Sequence, residues 1–135
     1  METIYYSLLG YVSWALVLGF SLITLRSLQV LLGKKKSNEF PAGIPHGSPF
    51  EWRLNRAHLN TLENLPIFLS IVFVIVSLGK IDDFVNTASI VVVISRICQS
   101  TIHLISTSVW MVNFRFTFYM IQNFTYAVVI GRIVA

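Results

Sequence analysis

Long apolar runs constrain this chain more than any other feature of its sequence. The first, from Ile4 to Leu25, is almost uninterrupted, and at about 1.5 Å per residue a helix of this length crosses a hydrocarbon core of about 30 Å. Further apolar runs cover 65–78, 84–105 and 114–134. Only 12% of the residues are charged and 55% are hydrophobic, whereas about a quarter are charged in soluble domains. The pattern predicts an all-α integral membrane protein built as a four-transmembrane-helix bundle.

We expect one membrane domain over residues 1–135, and we interpret the first apolar run as a retained helix because no basic segment precedes it. Residues 33–50 carry three of the four prolines and a lysine run, which indicates a loop outside the membrane. Pro66 predicts a kink in the second helix. A second loop is expected at 106–113. The predicted helices cover about 4–32, 51–78, 84–105 and 114–134.

The distribution of basic residues predicts how the bundle is oriented. Four spans place both termini on one side of the membrane. The first loop and the helix entrance after it hold most of the basic side chains, against Lys80 alone in the second turn; they are Lys34, Lys35, Lys36, Arg53 and Arg56. By the positive-inside rule, loops 33–50 and 106–113 are cytoplasmic. Arg26, near the end of the first helix, is expected to reach the lipid headgroups, and the alternative is that it enters a polar cavity.

The second helix carries a polar face into its apolar part. Arg56, Asn60 and Glu63 are spaced i, i+4 and i+7, so they share one face of a helix, and Arg53 joins that face one turn earlier. Ionisable side chains at this depth are candidates for a functional site.

The third and fourth helices repeat the pattern. Arg96, Gln99 and His103 share one face of the third helix, and Arg115 and Tyr119 lie one turn apart near the start of the fourth. These side chains could converge with those of the second helix at the cytoplasmic half of the bundle.

The helices bring too many cations together for an internal ion-pair network. Arg56, Arg96 and Arg115 face one helical carboxylate, Glu63, so two arginines lack a partner. Water and lipid phosphate could serve them, or a cavity could bind an anion whose carboxylates pair with guanidinium groups. The basic residues form no stripe typical of nucleic-acid binding, and His46 has no neighbours at metal-ligand spacing. We therefore expect neither nucleic acid nor a metal.

The run from Arg56 to Pro66, Arg-Ala-His-Leu-Asn-Thr-Leu-Glu-Asn-Leu-Pro, follows Glu51-Trp-Arg53. It resembles the signature of the MAPEG superfamily, the membrane-associated proteins in eicosanoid and glutathione metabolism, and is similar to its microsomal and bacterial glutathione transferase branches. The resemblance implies a homotrimer of four-helix subunits that binds glutathione between neighbouring subunits near the cytoplasmic face.

The resemblance also implies residue roles. Arg115 activates the thiol of glutathione, and its following Tyr119 fits the family pattern. His103 stands where the family commonly has Tyr, and Phe116 stands where some members have a small hydroxyl residue, which argues against prostaglandin-synthase-like chemistry. The implied glutathione-binding residues are Arg53, Arg56, Asn60, Glu63, Arg96, Gln99, His103 and Tyr119.

The resulting hypothesis is a membrane-embedded, glutathione-dependent transferase or peroxidase. A guanidinium beside the thiol favours the thiolate, which attacks a lipophilic electrophile or a lipid hydroperoxide arriving from the membrane. Two alternatives stay open: a non-catalytic MAPEG-like protein that binds lipid or a partner, and a small transporter subunit with charges in the membrane.

Overall fold

The computed structural model describes residues 2–135, and these residues form four α-helices without a strand. The all-α architecture predicted from the sequence is confirmed. Three helices are long and apolar enough to cross a membrane, and they are α1, α2 and α3. The fourth contains 26 residues, but polar side chains such as Arg115 and Gln122 lower its mean hydropathy. The helices are α1 (Thr3–Leu31), α2 (Pro49–Ser77), α3 (Asp83–Ile105) and α4 (Val109–Val134).

Side-chain caps determine where three of the helices begin. Ser48 accepts the backbone N–H of Glu51 before α2, and Asp82 accepts that of Val85 before α3. Ser108 accepts the N–H of Met111, at 3.4 Å, so α4 begins at Val109 rather than near residue 114. The predicted loop 106–113 is therefore shorter, because Ser108 caps a segment that contains no helix-breaking residue.

The helices run up and down, so that the bundle has two distinct ends. At the loop end, which comprises residues 32–48 and 106–108, Arg53 Nε donates to Leu104 O at 3.0 Å and ties the start of α2 to the end of α3. At the terminal end, which comprises residues 2, 78–82 and 135, Ile4 N donates to Asn86 Oδ1 at 3.0 Å.

Helix α4 lies to one side of the bundle. It packs mainly against α3 and only slightly against α2, and within residues 2–135 no Cα of α4 lies within 8 Å of a Cα of α1. The main apolar core fills the terminal half and includes Phe68, Val72, Val92 and Tyr126. Because α4 leans on α3 and barely reaches α2, a cleft stays open between α2 and α4, with α3 as its floor.

Candidate functional site

The cleft contains a cavity of about 330 Å³ in the half of the bundle nearer the loop end. This volume falls within the range of about 300–1,000 Å³ that is usual for small-molecule sites. Helices α2, α3 and α4 each contribute to its wall. The lining residues are Asn60, Asn64, Arg96, Gln99, Val112, Arg115, Phe116 and Tyr119.

Arg96 is the most deeply buried charge at the cavity, with 1% of its surface exposed. Its Nη1 makes one long hydrogen bond to Asn60 O, at 3.4 Å, and its Cζ lies 6.0 Å from the Tyr11 ring centroid. Neither Nε nor Nη2 has a hydrogen-bond partner among residues 2–135. Within residues 2–135, no carboxylate lies within 4.0 Å of this guanidinium. A buried cation without a counterion is costly, and an anion in the cavity would offset that cost.

Helix α4 places Arg115 and Tyr119 on the cavity wall, one turn apart, as the sequence predicted. Arg115 is half-buried and has no carboxylate partner among the described residues. Arg56 does not line the cavity, but it lies close enough to Arg115 for their charges to repel. The excess of cations expected from the sequence is therefore present around this cavity.

Two amides were missed by sequence reasoning. Asn64 lines the cavity and donates through Nδ2 to Asn60 O at 3.1 Å. Gln122, which is 0% exposed, donates to Gln99 Oε1 at 2.9 Å. Both follow a predicted site residue at helical spacing, since Asn64 is i+4 from Asn60 and Gln122 is i+3 from Tyr119. That spacing was the signal available in the sequence.

Besides Arg56, three further predicted site residues do not line the cavity. Arg53 donates to Leu104 O instead, which satisfies a carbonyl at the end of α3. His103 is buried, and neither of its ring nitrogens has a hydrogen-bond partner in the described part of the chain. Glu63 is exposed on the outer face of α2 and lies within 4.0 Å of no cation of residues 2–135. Their roles in glutathione binding stay predictions.

Among residues 2–135, the buried carboxylate is that of Glu51, which is 1% exposed. Gln29 Nε2 donates to its Oε2 at 2.9 Å, and Arg26 Nε lies 3.6 Å from its Oε1. Arg26 therefore pairs with a carboxylate of α2, and its contact with the lipid headgroups stays a prediction. Gly47, with φ 71°, packs so closely against Glu51 that a β-carbon would collide with the carboxylate.

Comparison with known proteins places the whole architecture in one family. The sequence profile described as the MAPEG family matches residues 4–135, nearly the entire chain. No individual curated protein and no solved structure matches it. The resemblance read from the segment Arg56–Pro66 is thereby confirmed.

Proposed function

Because the chain belongs to the MAPEG family, we propose that this integral membrane protein is a glutathione-dependent transferase or peroxidase. It takes glutathione as co-substrate and a lipophilic electrophile or lipid hydroperoxide as second substrate. The observation that carries the proposal is the cavity with two arginines, Arg96 and Arg115, that no carboxylate of residues 2–135 neutralises.

The free N–H groups of Arg96 suit the carboxylates of glutathione. A planar guanidinium donates two parallel hydrogen bonds to one carboxylate, and Nε and Nη2 of Arg96 are both without a partner. Glutathione carries more negative than positive charge at neutral pH, so its binding relieves the cost of the buried cation. The amides of Asn60, Asn64 and Gln99 on the same wall supply further polar contacts.

Arg115 is the residue that we propose activates the thiol. A cation next to sulfur favours the thiolate, which is the reactive nucleophile. In conjugation the thiol proton leaves to solvent, a sulfur–carbon bond forms, and the leaving group departs with its bonding electrons. With a hydroperoxide, the thiolate attacks the terminal oxygen and an alcohol leaves. A second glutathione then displaces water from the oxidised sulfur to give the disulfide.

A lipophilic substrate has a direct route to this cavity. Val112 and Phe116 line it from α4, and Phe116 is 61% exposed on the outer surface of the subunit. The apolar side of the wall therefore faces lipid, while Arg96 and Gln99 form the polar floor. A substrate dissolved in the bilayer can approach the sulfur without crossing water.

We also propose that the functional unit is a homotrimer with a neighbouring subunit over the outer face of α2. Arg56, Leu59, Glu63 and Ile67 are all exposed along that face, and charges in a membrane helix need cover from protein or water. A neighbour there would place Arg56 and Glu63 in a shared site.

In such a shared site, Arg56→Ala and Glu63→Gln should each weaken glutathione binding by more than about tenfold.

Particle mass in mild detergent tests the assembly. The expected result is a trimer, and a monomer that retains full glutathione affinity would exclude a site shared between subunits.

The loop end, with segments 33–50 and 106–113, is proposed to face the cytoplasm because Lys34, Lys35 and Lys36 lie there.

One observation favours a non-catalytic lipid- or partner-binding role. His103, at the position where the family commonly has a tyrosine, is buried away from the cavity and brings no hydroxyl to it. Tyr119 does line the cavity, so a hydroxyl is available from α4. A transporter is less well supported, because apolar side chains such as Phe68 and Val72 fill the terminal half of the bundle.

The deciding experiment measures three properties of purified protein in lipid nanodiscs. These are glutathione binding by calorimetry, thiolate formation by ultraviolet absorbance across pH, and turnover with chlorodinitrobenzene and with cumene hydroperoxide. Binding, a lowered thiol titration and turnover of either substrate support the enzyme. Binding without thiolate formation or turnover supports the scaffold, and absence of binding overturns the proposal.

A further inference from the structure

We infer that Gln122 is a positioning residue that fixes the side-chain amide of Gln99 with its NH₂ group toward the cavity. The expected effect on glutathione binding rests on the proposed function, but the hydrogen bonds that orient the two amides do not depend on a ligand. Gln122 lies behind the cavity wall, is 0% exposed and does not line the cavity. It therefore acts through Gln99.

The orientation of Gln122 follows from a backbone carbonyl. Its Nε2 donates to Phe118 O at 3.1 Å, and a carbonyl oxygen can only accept. Rotating the Gln122 amide by 180° would turn its own oxygen toward that carbonyl, and two acceptors would then face each other. The second N–H of the same Nε2 points to Gln99 at 2.9 Å.

The orientation of Gln99 follows from that of Gln122. Since Gln122 offers an N–H, Gln99 must offer its Oε1, and its Nε2 is the end that remains. Gln99 lines the cavity, so the group that it presents to a ligand is a donor. A glutamine free to rotate would offer a ligand either an oxygen or an NH₂ group.

The consequence is a cavity floor that donates hydrogen bonds. Arg96 Nε and Nη2 have no hydrogen-bond partner within residues 2–135, and Gln99 lies three residues further along the same face of α3. With the Gln99 oxygen held by Gln122, α3 presents only donors. Such a wall selects ligand atoms that accept, such as a carboxylate oxygen or a thiolate sulfur, and disfavours a ligand ammonium group at this point.

A double-mutant cycle tests the coupling. The probe is S-methylglutathione, whose sulfur cannot ionise, and binding is measured by calorimetry. Gln122→Leu and Gln99→Leu should each weaken binding by about three- to tenfold, and the double variant should bind no more weakly than Gln99→Leu alone. Fully additive losses would overturn the inference, because Gln122 would then act independently of Gln99.

Asn123→Leu is the matched control. Asn123 donates to the Tyr119 carbonyl at 2.8 Å, so this variant loses the same kind of side-chain bond to the preceding helical turn as Gln122→Leu does. It does not touch Gln99, and S-methylglutathione affinity should stay unchanged. An equal loss in both variants would assign the effect to the helix rather than to Gln99.

A second measurement needs no ligand. The chain has three glutamines, Gln29, Gln99 and Gln122, so side-chain amide signals from ¹⁵N-glutamine protein can be assigned by substitution. The Gln122 NH₂ should exchange slowly with water, and the Gln99 NH₂ should exchange faster because it faces the cavity. Equal protection of both would overturn the inference. If the expected exchange pattern is found in a protein that binds no glutathione, the proposed function fails while the orientation of Gln99 stands.

Discussion

An arginine at the terminal end of the bundle is paired with a carboxylate, whereas an arginine in the other half is not. At the terminal end, Arg132 Nη2 lies 2.5 Å from Asp82 Oδ2, and its Cζ lies 4.7 Å from the Phe84 ring centroid. Lys80 Nζ at that end donates to Ile133 O at 2.7 Å. In the half nearer the loop end, Arg96 is far more deeply buried, yet no carboxylate of residues 2–135 lies within 4.0 Å of it.

This difference in pairing distinguishes cations that connect two parts of the bundle from cations that are available to a ligand. Arg132 is exposed and paired, and it ties the end of α4 to the turn before α3. Glu51 and Arg26 are a second paired set, at the loop end itself. Arg96 and Arg115 line an open cavity, and no carboxylate of residues 2–135 pairs with either. Pairing and burial, rather than the presence of arginine, therefore mark the candidate site.

Arg115→Ala should produce the largest effect. If the guanidinium stabilises the thiolate, turnover falls by about 10²- to 10³-fold while glutathione affinity falls by only about threefold, because the interaction strengthens as the sulfur gains charge. Arg115→Lys should restore part of the rate. Steady-state kinetics measures turnover, and the ultraviolet titration of bound thiol measures thiolate formation. Arg132→Ala is the matched control and should keep the wild-type rate. An unchanged titration in Arg115→Ala would exclude Arg115 as the activator.

Glu51→Gln should lower stability more than any change at the cavity. It leaves the Arg26 guanidinium, which is 3.6 Å from Glu51 Oε1, without its counterion, and we expect a loss of about 2 kcal/mol because Arg26 keeps some access to solvent. Thermal unfolding in detergent provides the measurement. Arg26→Met combined with Glu51→Gln should recover part of the loss. If the double variant is less stable than both single variants, the charge pair is not the cause.

Arg96→Met should weaken glutathione binding without lowering stability. Glutathione binding weakens by more than about tenfold, or about 1.4 kcal/mol, since the bidentate donor is lost. The melting temperature stays the same or rises, because the variant removes a buried charge that no carboxylate of residues 2–135 neutralises. Calorimetry and thermal unfolding test the two halves separately. A large drop in melting temperature with unchanged affinity would make Arg96 a structural residue like Arg26.

Asp82→Asn should have the smallest effect, and that effect should depend on pH. The backbone N–H of Val85 and, to a lesser extent, the Arg132 guanidinium lower the pKa of the Asp82 carboxyl below its ordinary value. A lowered pKa in the folded protein means that the stabilisation is present above the ordinary value of 3.8 and is lost as the pH falls through the folded value. Wild type should therefore melt slightly higher than Asp82→Asn at about pH 6, and the difference should shrink as the pH falls below 3.8. A constant difference across this range would show that the ionised carboxylate is not responsible.

Hydropathy and helical spacing were sufficient to predict much of this molecule. The apolar runs located all four helices, and the spacing of Arg115 and Tyr119 placed both on one face that does line the cavity. The start of α4 was predicted too late, because the cap at Ser108 is a local hydrogen bond that hydropathy does not register. Gln122 was overlooked because its importance comes from Gln99, which is 23 residues away in the chain.

The sequence by itself determined that the chain is a bundle of apolar helices with more arginines than carboxylates on its inner faces. It also carried the motif from Arg56 to Pro66 that identifies the family. Only the tertiary structure decided which arginines are paired. Pairing depends on distances between side chains on different helices, and those distances are fixed by how the helices lean. Because α4 packs mainly on α3 and only slightly on α2, Arg96 and Arg115 line an open cavity, whereas Arg26 pairs with Glu51.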